Sequence, residues 1–296
     1  MEYDWAKLFK GAEYLGKFED DSPEWHEIRS QGIGGSEIGT IMGLNPWESA
    51  YALWAKKSGK IENTFTGNTA TRLGKLLEEP ILQMFQENHP NLTLHRPGTF
   101  RMRNLSILHA NVDALAFDPE TGEWAVVEVK TARYQWDSIP EHYVAQVQHY
   151  MDVLGLKKAY IVALCGMEPF EAVIEADEFQ QSVQRDRAMQ FWYGLQDGKA
   201  PEWDGSESTY QVVRQMHPLI EDREEEIGEL GIGLWNAQLR FDEAQKELNS
   251  YKSAVMDTMG YAKHATVTVD GEPTIRVASR QIRGGYPALI INRKGK

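Results

Sequence analysis

The fold of this chain is decided by the run Val112-Asp113-Ala114-Leu115-Ala116-Phe117, the polar segment Asp118-Pro119-Glu120-Thr121-Gly122 and the run Glu123-Trp124-Ala125-Val126-Val127-Glu128-Val129-Lys130. Apolar side chains dominate both runs, and the segment between them has the proline, glycine and aspartate that favour a chain reversal. The pattern predicts a β-hairpin. With its loop centred on Glu120-Thr121, the predicted cross-strand pairs are Phe117 with Trp124, Leu115 with Val126 and Asp113 with Glu128.

Three charged residues at the open end of this hairpin are candidate catalytic residues. Opposed side chains in an antiparallel pair have Cβ atoms about 5 Å apart on one face, so Asp113 and Glu128 converge, and strand alternation adds Lys130 to that face. Two carboxylates this close repel each other, and a hard cation such as Mg²⁺ relieves the repulsion. Asp113, Glu128 and the Val129 carbonyl are therefore candidate metal ligands. Lys130 can orient or deprotonate a water molecule, which suits phosphodiester hydrolysis.

The remaining patterns surround this hairpin with helices. Ser22 and Pro23 are typical of a helix start, and Pro90 and Pro97-Gly98 mark a change to strands. Helices are predicted over residues 22–30, 36–43, 47–58, 69–88, 141–154 and 178–194. Strands are predicted over residues 100–103, 107–117, 123–130, 159–164 and 171–175. The predicted fold class is α/β, with a mixed β-sheet flanked by helices.

The pattern changes beyond Pro201, and a domain boundary is predicted between residues 205 and 206. Apolar residues recur at heptad spacing and predict a long helix with a coiled-coil seam: Ile220, Ile227, Leu234, Phe241, Leu248 and Val255, with Leu230, Ala237, Ala244 and Tyr251. A small hairpin over 266–269 and 274–278, turning at Asp270-Gly271, completes the extension. The seam can pair with another subunit or protein, or fold back on the first domain. Its length favours an interaction.

Composition excludes several classes of protein. The chain has no apolar run long enough for a transmembrane helix, and Met1 to Lys10 lack the layout of a signal peptide. The single cysteine, Cys165, excludes a disulfide framework and a four-cysteine metal site. These features predict a cytoplasmic protein. The net charge of −13 counts against a nucleic-acid partner, but an enzyme whose carboxylates hold metal ions is acidic where DNA binds.

Other stretches add polar groups around the hairpin. Gly74-Lys75-Leu76-Leu77-Glu78 supplies the carboxylate of Glu78, and the helix after the hairpin carries Gln146-Val147-Gln148-His149-Tyr150. Gly34-Gly35-Ser36 opens a helix whose free N–H groups suit a phosphate, and Arg29 can grip that phosphate. With Trp25-His26-Glu27-Ile28-Arg29, Val112-Asp113 and Glu128-Val129-Lys130, this ordered set resembles the lambda exonuclease (YqaJ-type) family of phage recombination nucleases. That family lies within the restriction-endonuclease-like PD-(D/E)XK superfamily, and the resemblance covers roughly Ser22 to Leu164.

The resemblance implies a restriction-endonuclease-like nuclease domain over residues 1–205 and an interaction or oligomerisation extension over 206–296. The implied roles of single residues are these: Asp113, Glu128 and the Val129 carbonyl bind metal, Glu78 helps through water, Lys130 activates the nucleophile, Gln148 positions it, and Arg29 and Ser36 hold the 5′-phosphate of the degraded strand. Asn111, where the family often has a serine–proline–aspartate run, can also donate to a phosphate.

The implied function is a Mg²⁺-dependent 5′→3′ double-strand DNA exonuclease, with two Mg²⁺ ions or with Mn²⁺ in their place. Its product is a 3′ single-stranded tail for phage-type recombination by strand annealing. Implied partners are duplex DNA ends, a single-strand annealing protein and further copies of the chain in a ring-shaped trimer. The resemblance places the protein in the cytoplasm of a bacterial host, as a phage or prophage product with no membrane association.

Two other functions remain open on the sequence. A structure-specific or restriction-like endonuclease uses the same catalytic residues, but Arg29 with Ser36 favours an enzyme that acts at ends. A non-catalytic DNA-binding scaffold is the other, and the intact Asp113, Glu128 and Lys130 count against it.

Overall fold

The structure is a computed structural model that describes residues 3–19, 21–62, 67–268 and 274–292. It contains two compact units, Met1–Ile220 and Glu221–Lys296. The strands of the first unit are β1 (Ala12–Gly16), β2 (Ile33–Gly34), β3 (Thr93–His95), β4 (Thr99–Met102), β5 (Leu108–Asn111), β6 (Ala114–Asp118), β7 (Glu123–Ala132), β8 (Lys158–Cys165) and β9 (Glu168–Glu175). Its helices are α1 (Trp5–Leu8), α2 (Pro23–Ser30), α3 (Gly35–Ile41), α4 (Ala50–Lys57), α5 (Thr69–Asn88), α6 (Glu141–Leu154), α7 (Glu178–Gln196) and α8 (Glu207–Met216).

The first unit contains two sheets. A five-stranded mixed sheet has the order β3-β6-β7-β8-β9, in which only β7 and β8 run parallel. A four-stranded sheet has the order β1-β4-β5-β2. This mixed α/β architecture with flanking helices confirms the predicted fold class.

The hairpin register is confirmed where the strands pair, because Phe117 lies opposite Trp124 and Leu115 opposite Val126. The prediction of one strand over residues 107–117 is wrong. That run divides into β5 and β6, which belong to different sheets, and the paired ladder of β6 and β7 ends at Ala114. Asp113 lies just beyond that end, where its carboxylate accepts the amide of Val129. Asp113 is therefore at the crossover between the two sheets.

Helices cover both faces of the five-stranded sheet, as strand alternation requires. Val127 and Val129 of β7 pack in a cluster with Ile81 and Phe85 of α5. Val126, on the opposite face, packs in a cluster with residues of α6 such as Val147 and Met151. Because Glu128 has the same parity as Val126, its side chain points toward α6.

Helix positions agree closely with the sequence prediction where caps are strong. The side chain of Ser22 caps α2 by accepting a hydrogen bond from the amide of Trp25. Helices α5 and α6 have the predicted bounds. Helix α8 was not predicted. It lies within the unit Met1–Ile220, where the side chain of Thr209 donates to Ser49 at the start of α4. The domain boundary between residues 205 and 206 remains a prediction.

The second unit consists of α9 (Glu229–Met259) and a three-stranded antiparallel sheet of β10 (His264–Val267), β11 (Ile275–Arg283) and β12 (Tyr286–Ile291). Ile220 and Ile227 precede α9, so they are not part of its helical seam. The predicted turn at Asp270-Gly271 lies outside the described residues. None of the described helices is long and apolar enough to cross a membrane.

Candidate active site

Glu128 is the most deeply buried charged residue of the candidate site, with 2% of its surface exposed. Its Oε1 accepts from Lys130 Nζ at 2.5 Å and from Gln146 Nε2 at 2.6 Å. Its Oε2 is also buried and accepts no hydrogen bond from a donor group among the residues that the structure describes, although the carboxyl group of Asp113 lies within hydrogen-bonding reach of Glu128. A buried acceptor without a partner costs free energy, so this oxygen is set up to receive a ligand.

Asp113 lies beside Glu128, as the hairpin register predicts. Its Oδ2 accepts from the amide of Val129 at 2.7 Å, which fixes the carboxyl group at the end of the β6–β7 ladder. Lys130 extends from the same face of β7, and its ammonium group lies 4.8 Å from the ring centre of Tyr143. The structure therefore brings the three predicted residues together at one end of the hairpin.

The electrostatics of these groups follow from burial. Desolvation, followed by the charge of Asp113, raises the pKa of Glu128 to about 8. Desolvation also raises the pKa of Asp113, although Lys130 and the Val129 amide oppose this shift. For Lys130, burial disfavours the ammonium form, but the charges of Glu128 and Asp113 outweigh burial and raise its pKa. Both acids resist ionisation although Lys130 lies beside them, so a further positive charge would stabilise their ionised forms.

The donor set fits a hard divalent cation. The free Oε2 of Glu128 and the second oxygen of Asp113 are carboxylate donors of the kind that Mg²⁺ prefers. Within the described part of the chain, however, no group of three aspartate, glutamate, histidine or cysteine side chains is placed to hold a metal ion. Two carboxylates therefore form the protein's side-chain contribution, and a backbone carbonyl, water or substrate oxygen would complete the coordination.

Glu78 does not join these two acids directly. It lies on α5, which covers the other face of the sheet, and Oε1 of Glu78 lies 3.0 Å from Nη2 of Arg96. Its charge still raises the pKa of Glu128, so Glu78 is within electrostatic reach of the site. This placement is compatible with the predicted indirect role through water.

Gln148 was predicted to position the nucleophile, and the structure places it elsewhere. Its side chain is buried, donates to the carbonyl of Glu175 at 2.6 Å and accepts from the amide of Asp177 at 2.9 Å. These bonds fasten α6 to the end of β9 and the start of α7. Two residues correspond to about 200° around a helix, so Gln148 and Gln146 point in nearly opposite directions.

Gln146 instead points toward Glu128. Its Nε2 donates to Glu128 at 2.6 Å and to the hydroxyl group of Tyr150 at 3.1 Å. Gln146 and Tyr150 are four residues apart, so they share one face of α6. That spacing in the sequence was the signal that could have separated Gln146 from Gln148.

The predicted phosphate-binding residues also converge. Arg29 Nη2 donates to Ser36 Oγ at 3.2 Å, and the guanidinium group lies 4.6 Å from the ring centre of Trp25. Arg29, Asn111 and Tyr150 line one small cavity. Asn111 Oδ1 accepts from Thr99, which leaves its amide nitrogen as the end that can donate.

Tyr150 lies between this cavity and the residues around Glu128. Its hydroxyl group contacts Gln146, and its ring packs against Gly35 so closely that a Cβ atom there would lie 2.3 Å from Tyr150 Cε1. Gly35 is therefore needed for this close approach. The amide of Gly34 is already bound by Glu37 at 2.9 Å, so the start of α3 offers fewer free N–H groups than the sequence suggested.

Comparison with known proteins agrees with this architecture. A family model described as the YqaJ-like viral recombinase domain matches residues 24–157. Uncharacterized protein YqaJ of Bacillus subtilis (strain 168) is 31% identical over 224 residues, which cover 72% of this chain and 69% of that protein. Protein D345L of African swine fever virus (strain Badajoz 1971 Vero-adapted) is 32% identical over 89 residues, 27% of this chain and 26% of the viral protein.

Among solved structures, the alkaline exonuclease LHK-Exo of Laribacter hongkongensis superposes with a TM-score of 0.51 at 18% identity. The match covers 60% of this chain and 94% of the exonuclease. At this identity the likeness concerns the fold, which is the restriction-endonuclease-like arrangement of a mixed sheet between helices. The extent of the match to the Bacillus protein, together with the domain match over α2 to α6, shows that the chain belongs to the YqaJ-like viral recombinase family.

Proposed function

We propose that the protein is a metal-dependent deoxyribonuclease that degrades one strand of a DNA duplex from its 5′ end. The observation that carries this proposal is the free, buried Oε2 of Glu128 beside Asp113 and Lys130. A buried carboxylate oxygen that accepts no hydrogen bond and lies next to a second acid would be stabilised by a bound cation. A divalent ion at this position could activate a water molecule and polarise a phosphate for phosphodiester hydrolysis, with the ammonium group of Lys130 beside it.

Asp113 and Glu128 would hold Mg²⁺, with the Val129 carbonyl as a further oxygen ligand and Glu78 acting through water. When bound, the ion would lower the pKa of water and offset charge that develops on the phosphate. Two Mg²⁺ ions, or Mn²⁺ in their place, form part of the proposal.

The chain's own residues divide the remaining work. Lys130, held by Glu128 at 2.5 Å, would orient the attacking water through its ammonium group and offset negative charge that develops on the phosphate. Gln146 holds Oε1 of Glu128 and so keeps Oε2 directed toward the reacting centre. Preorganised groups of this kind lower the barrier because they need not rearrange during reaction.

The proposed 5′ polarity rests on the cavity lined by Arg29 and Asn111. A guanidinium group beside the Ser36 hydroxyl suits a terminal phosphate, which has more acceptor oxygens and charge than an internal one. Because Tyr150 lies between this cavity and Gln146, an end bound at Arg29 would lie close to the catalytic acids. The resulting 3′ single strand would be the substrate of an annealing protein in recombination, and a ring-shaped trimer is the proposed assembly.

One experiment tests the activity and its polarity together. Linear duplex labelled at either the 5′ or the 3′ end, with 5′-phosphate or 5′-hydroxyl termini, is incubated with the protein in Mg²⁺ or EDTA beside covalently closed circular DNA. We expect Mg²⁺-dependent release of the 5′ label, faster with 5′-phosphate, and no cleavage of the circle.

The Glu128→Ala variant should be inactive. Cleavage of closed circles would favour the endonuclease alternative. Binding of DNA without Mg²⁺-dependent cleavage, by a preparation in which Glu128→Ala changes nothing, would favour the scaffold.

A further inference from the structure

Helix α9 presents an apolar seam that no described element of the second unit covers. None of the residues of α9 is buried. Three large side chains of the seam, Leu234, Phe241 and Tyr251, are 62–70% exposed. The α9 seam, as defined here, contains the a and d positions of a heptad pattern: Leu230, Leu234, Ala237, Phe241, Ala244, Leu248, Tyr251 and Val255. Contiguous apolar exposure of this kind marks an interaction surface, and a heptad seam is covered by another helix.

We propose that the α9 seam pairs with the α9 seam of a second copy of this chain, in antiparallel orientation, with the two-fold axis between Asp242 and Glu243. A two-fold contact of this kind uses the same surface on both partners. The proposal concerns the second unit alone and does not depend on the nuclease assignment. The two-fold contact would be additional to the contacts that form the proposed trimer.

The sizes of the seam side chains favour the antiparallel orientation. In a parallel pair each residue meets its own copy, so Ala237 and Ala244 would form small layers on either side of a double Phe241 layer. Helices cannot be close at alanine pairs and distant at a phenylalanine pair one turn away, and the mismatch leaves voids. In the proposed register each small residue meets a large one: Phe241 meets Ala244, and Leu248 meets Ala237.

The charges that flank the seam select the register. Residues at the g positions, Arg240 and Glu247, lie along the edge of the pair, where charge pairs set partner and orientation. In the proposed register Arg240 of each copy lies beside Glu247 of the other, twice by symmetry. Sliding the helices by one heptad in one direction puts Arg240 beside Arg240, and in the other direction Glu247 beside Glu247. Only the middle register is electrostatically favourable.

The rest of the same edge is compatible with close approach. Gly233 and Ala254, also at g positions, meet in the proposed register and permit the helices to approach. On the opposite edge Gln238 meets Gln245, which creates no charge conflict. The outer face of α9 includes Lys246, which the pair leaves in solvent and which therefore provides a matched control.

Cysteine cross-linking of the full-length protein tests the orientation. The single native cysteine, Cys165, is buried, so background cross-linking should be low. The double variant Arg240→Cys/Glu247→Cys should give a disulfide-linked dimer on a non-reducing gel if the helices are antiparallel. Within one helix these two positions are about 10.5 Å apart along the axis, too far for an internal disulfide.

The double variant Glu247→Cys/Lys252→Cys provides the opposite test, because those positions are neighbours only in a parallel pair. We expect linked dimer from the first variant and background levels from the second. Linked dimer from the second variant alone would overturn the orientation. No linked dimer from either variant would overturn the pairing and favour another occupant of the seam, such as a different protein or another part of this chain.

Charge reversal tests the register on the folded protein. Arg240→Glu creates two Glu–Glu contacts and should weaken the association at least ten-fold, measured by sedimentation at low ionic strength. Arg240→Glu/Glu247→Arg should restore it, and Lys246→Glu, the same charge change on the outer face, should leave it unchanged. Failure of the double reversal to restore association, or an equal effect of Lys246→Glu, would contradict the proposed register.

Discussion

The replacement Glu128→Gln should remove a pH-dependent loss of stability from the protein without bound metal. The pKa of Glu128 is raised from 4.5 to about 8 in the folded state. A carboxyl group with a raised pKa contributes full stability below its unfolded pKa, and that contribution is lost as pH rises through the folded value. The expected window of loss is therefore between pH 4.5 and about 8.

The size of this effect follows from the same two values. One pKa unit corresponds to about 1.4 kcal/mol, so a rise from 4.5 to about 8 would lower the free energy of unfolding by on the order of 5 kcal/mol across the window. Glu128 is almost completely buried, so solvent screening offers little relief. The raised pKa of Asp113 acts in the same direction, whereas Lys130 stays charged throughout this range and adds no slope.

The assay is urea unfolding in EDTA, followed by tryptophan fluorescence, at a series of pH values from 4.5 to 8.5 (a range set by the values for Glu128). We expect the wild-type free energy of unfolding to fall by several kcal/mol as pH rises, and Glu128→Gln to show most of that fall abolished. Mg²⁺ should restore the wild type at the alkaline end and have little effect on the variant. Glu123→Gln, at the exposed start of the same strand, is the matched control and should behave like the wild type.

Two outcomes would refute this reasoning. If the free energy of unfolding has the same pH dependence in EDTA for the wild type and Glu128→Gln, the pKa of Glu128 is not raised in the folded protein. If Mg²⁺ stabilises both proteins equally, the ion binds elsewhere and the free Oε2 of Glu128 is not its ligand.

Three further predictions concern the surroundings of Asp113 and Glu128. Gln146→Ala should slow DNA hydrolysis about 10- to 100-fold per folded molecule, because it removes a group that orients Glu128, and should also cost about 1–3 kcal/mol of stability through lost buried hydrogen bonds. Gln148→Ala should cost a similar amount of stability while leaving the rate per folded molecule largely intact. Gly35→Ala should cost about 1–3 kcal/mol of stability from overpacking against Tyr150, read by urea unfolding, and an unchanged midpoint would contradict the contact. Arg29→Ala should raise KM for 5′-phosphorylated ends at least ten-fold and leave 5′-hydroxyl ends nearly unaffected, and equal loss on both substrates would rule out a 5′-phosphate role.

Local patterns in the sequence were enough to predict the β6–β7 hairpin. Alternating apolar residues, a polar turn and short-range register place Leu115 opposite Val126, and the structure confirms that pairing. The same reasoning brought Asp113, Glu128 and Lys130 to one face. Helix α5 was also predictable to its ends, because the capping residue Asn68 and the loss of apolar periodicity after Asn88 are both local signals.

Long-range competition decided what local patterns could not. The run from Ile107 to Phe117 is mostly apolar, but Asn111 and Asp113 inside it have low strand propensity. Asp113 accepts a hydrogen bond from the amide of Val129, and the two halves of the run pair in different sheets. The residues of that run alone do not predict which strands its backbone will pair with. Strand pairing is a property of the whole sheet, so the break at Asp113 follows from neighbours distant in sequence.

Local sequence patterns were enough to predict which groups lie near the hairpin: two acids and an amine on it, a helix with two glutamines after it and an arginine before it. The folded structure was needed to show which glutamine contacts Glu128, because Gln146 and Gln148 differ by the direction of their side chains around α6 and not by residue type. Only the structure showed that Tyr150 connects the Arg29 cavity to Glu128. The physical reason is that residue identity sets what a group can do, while packing sets which group it can reach.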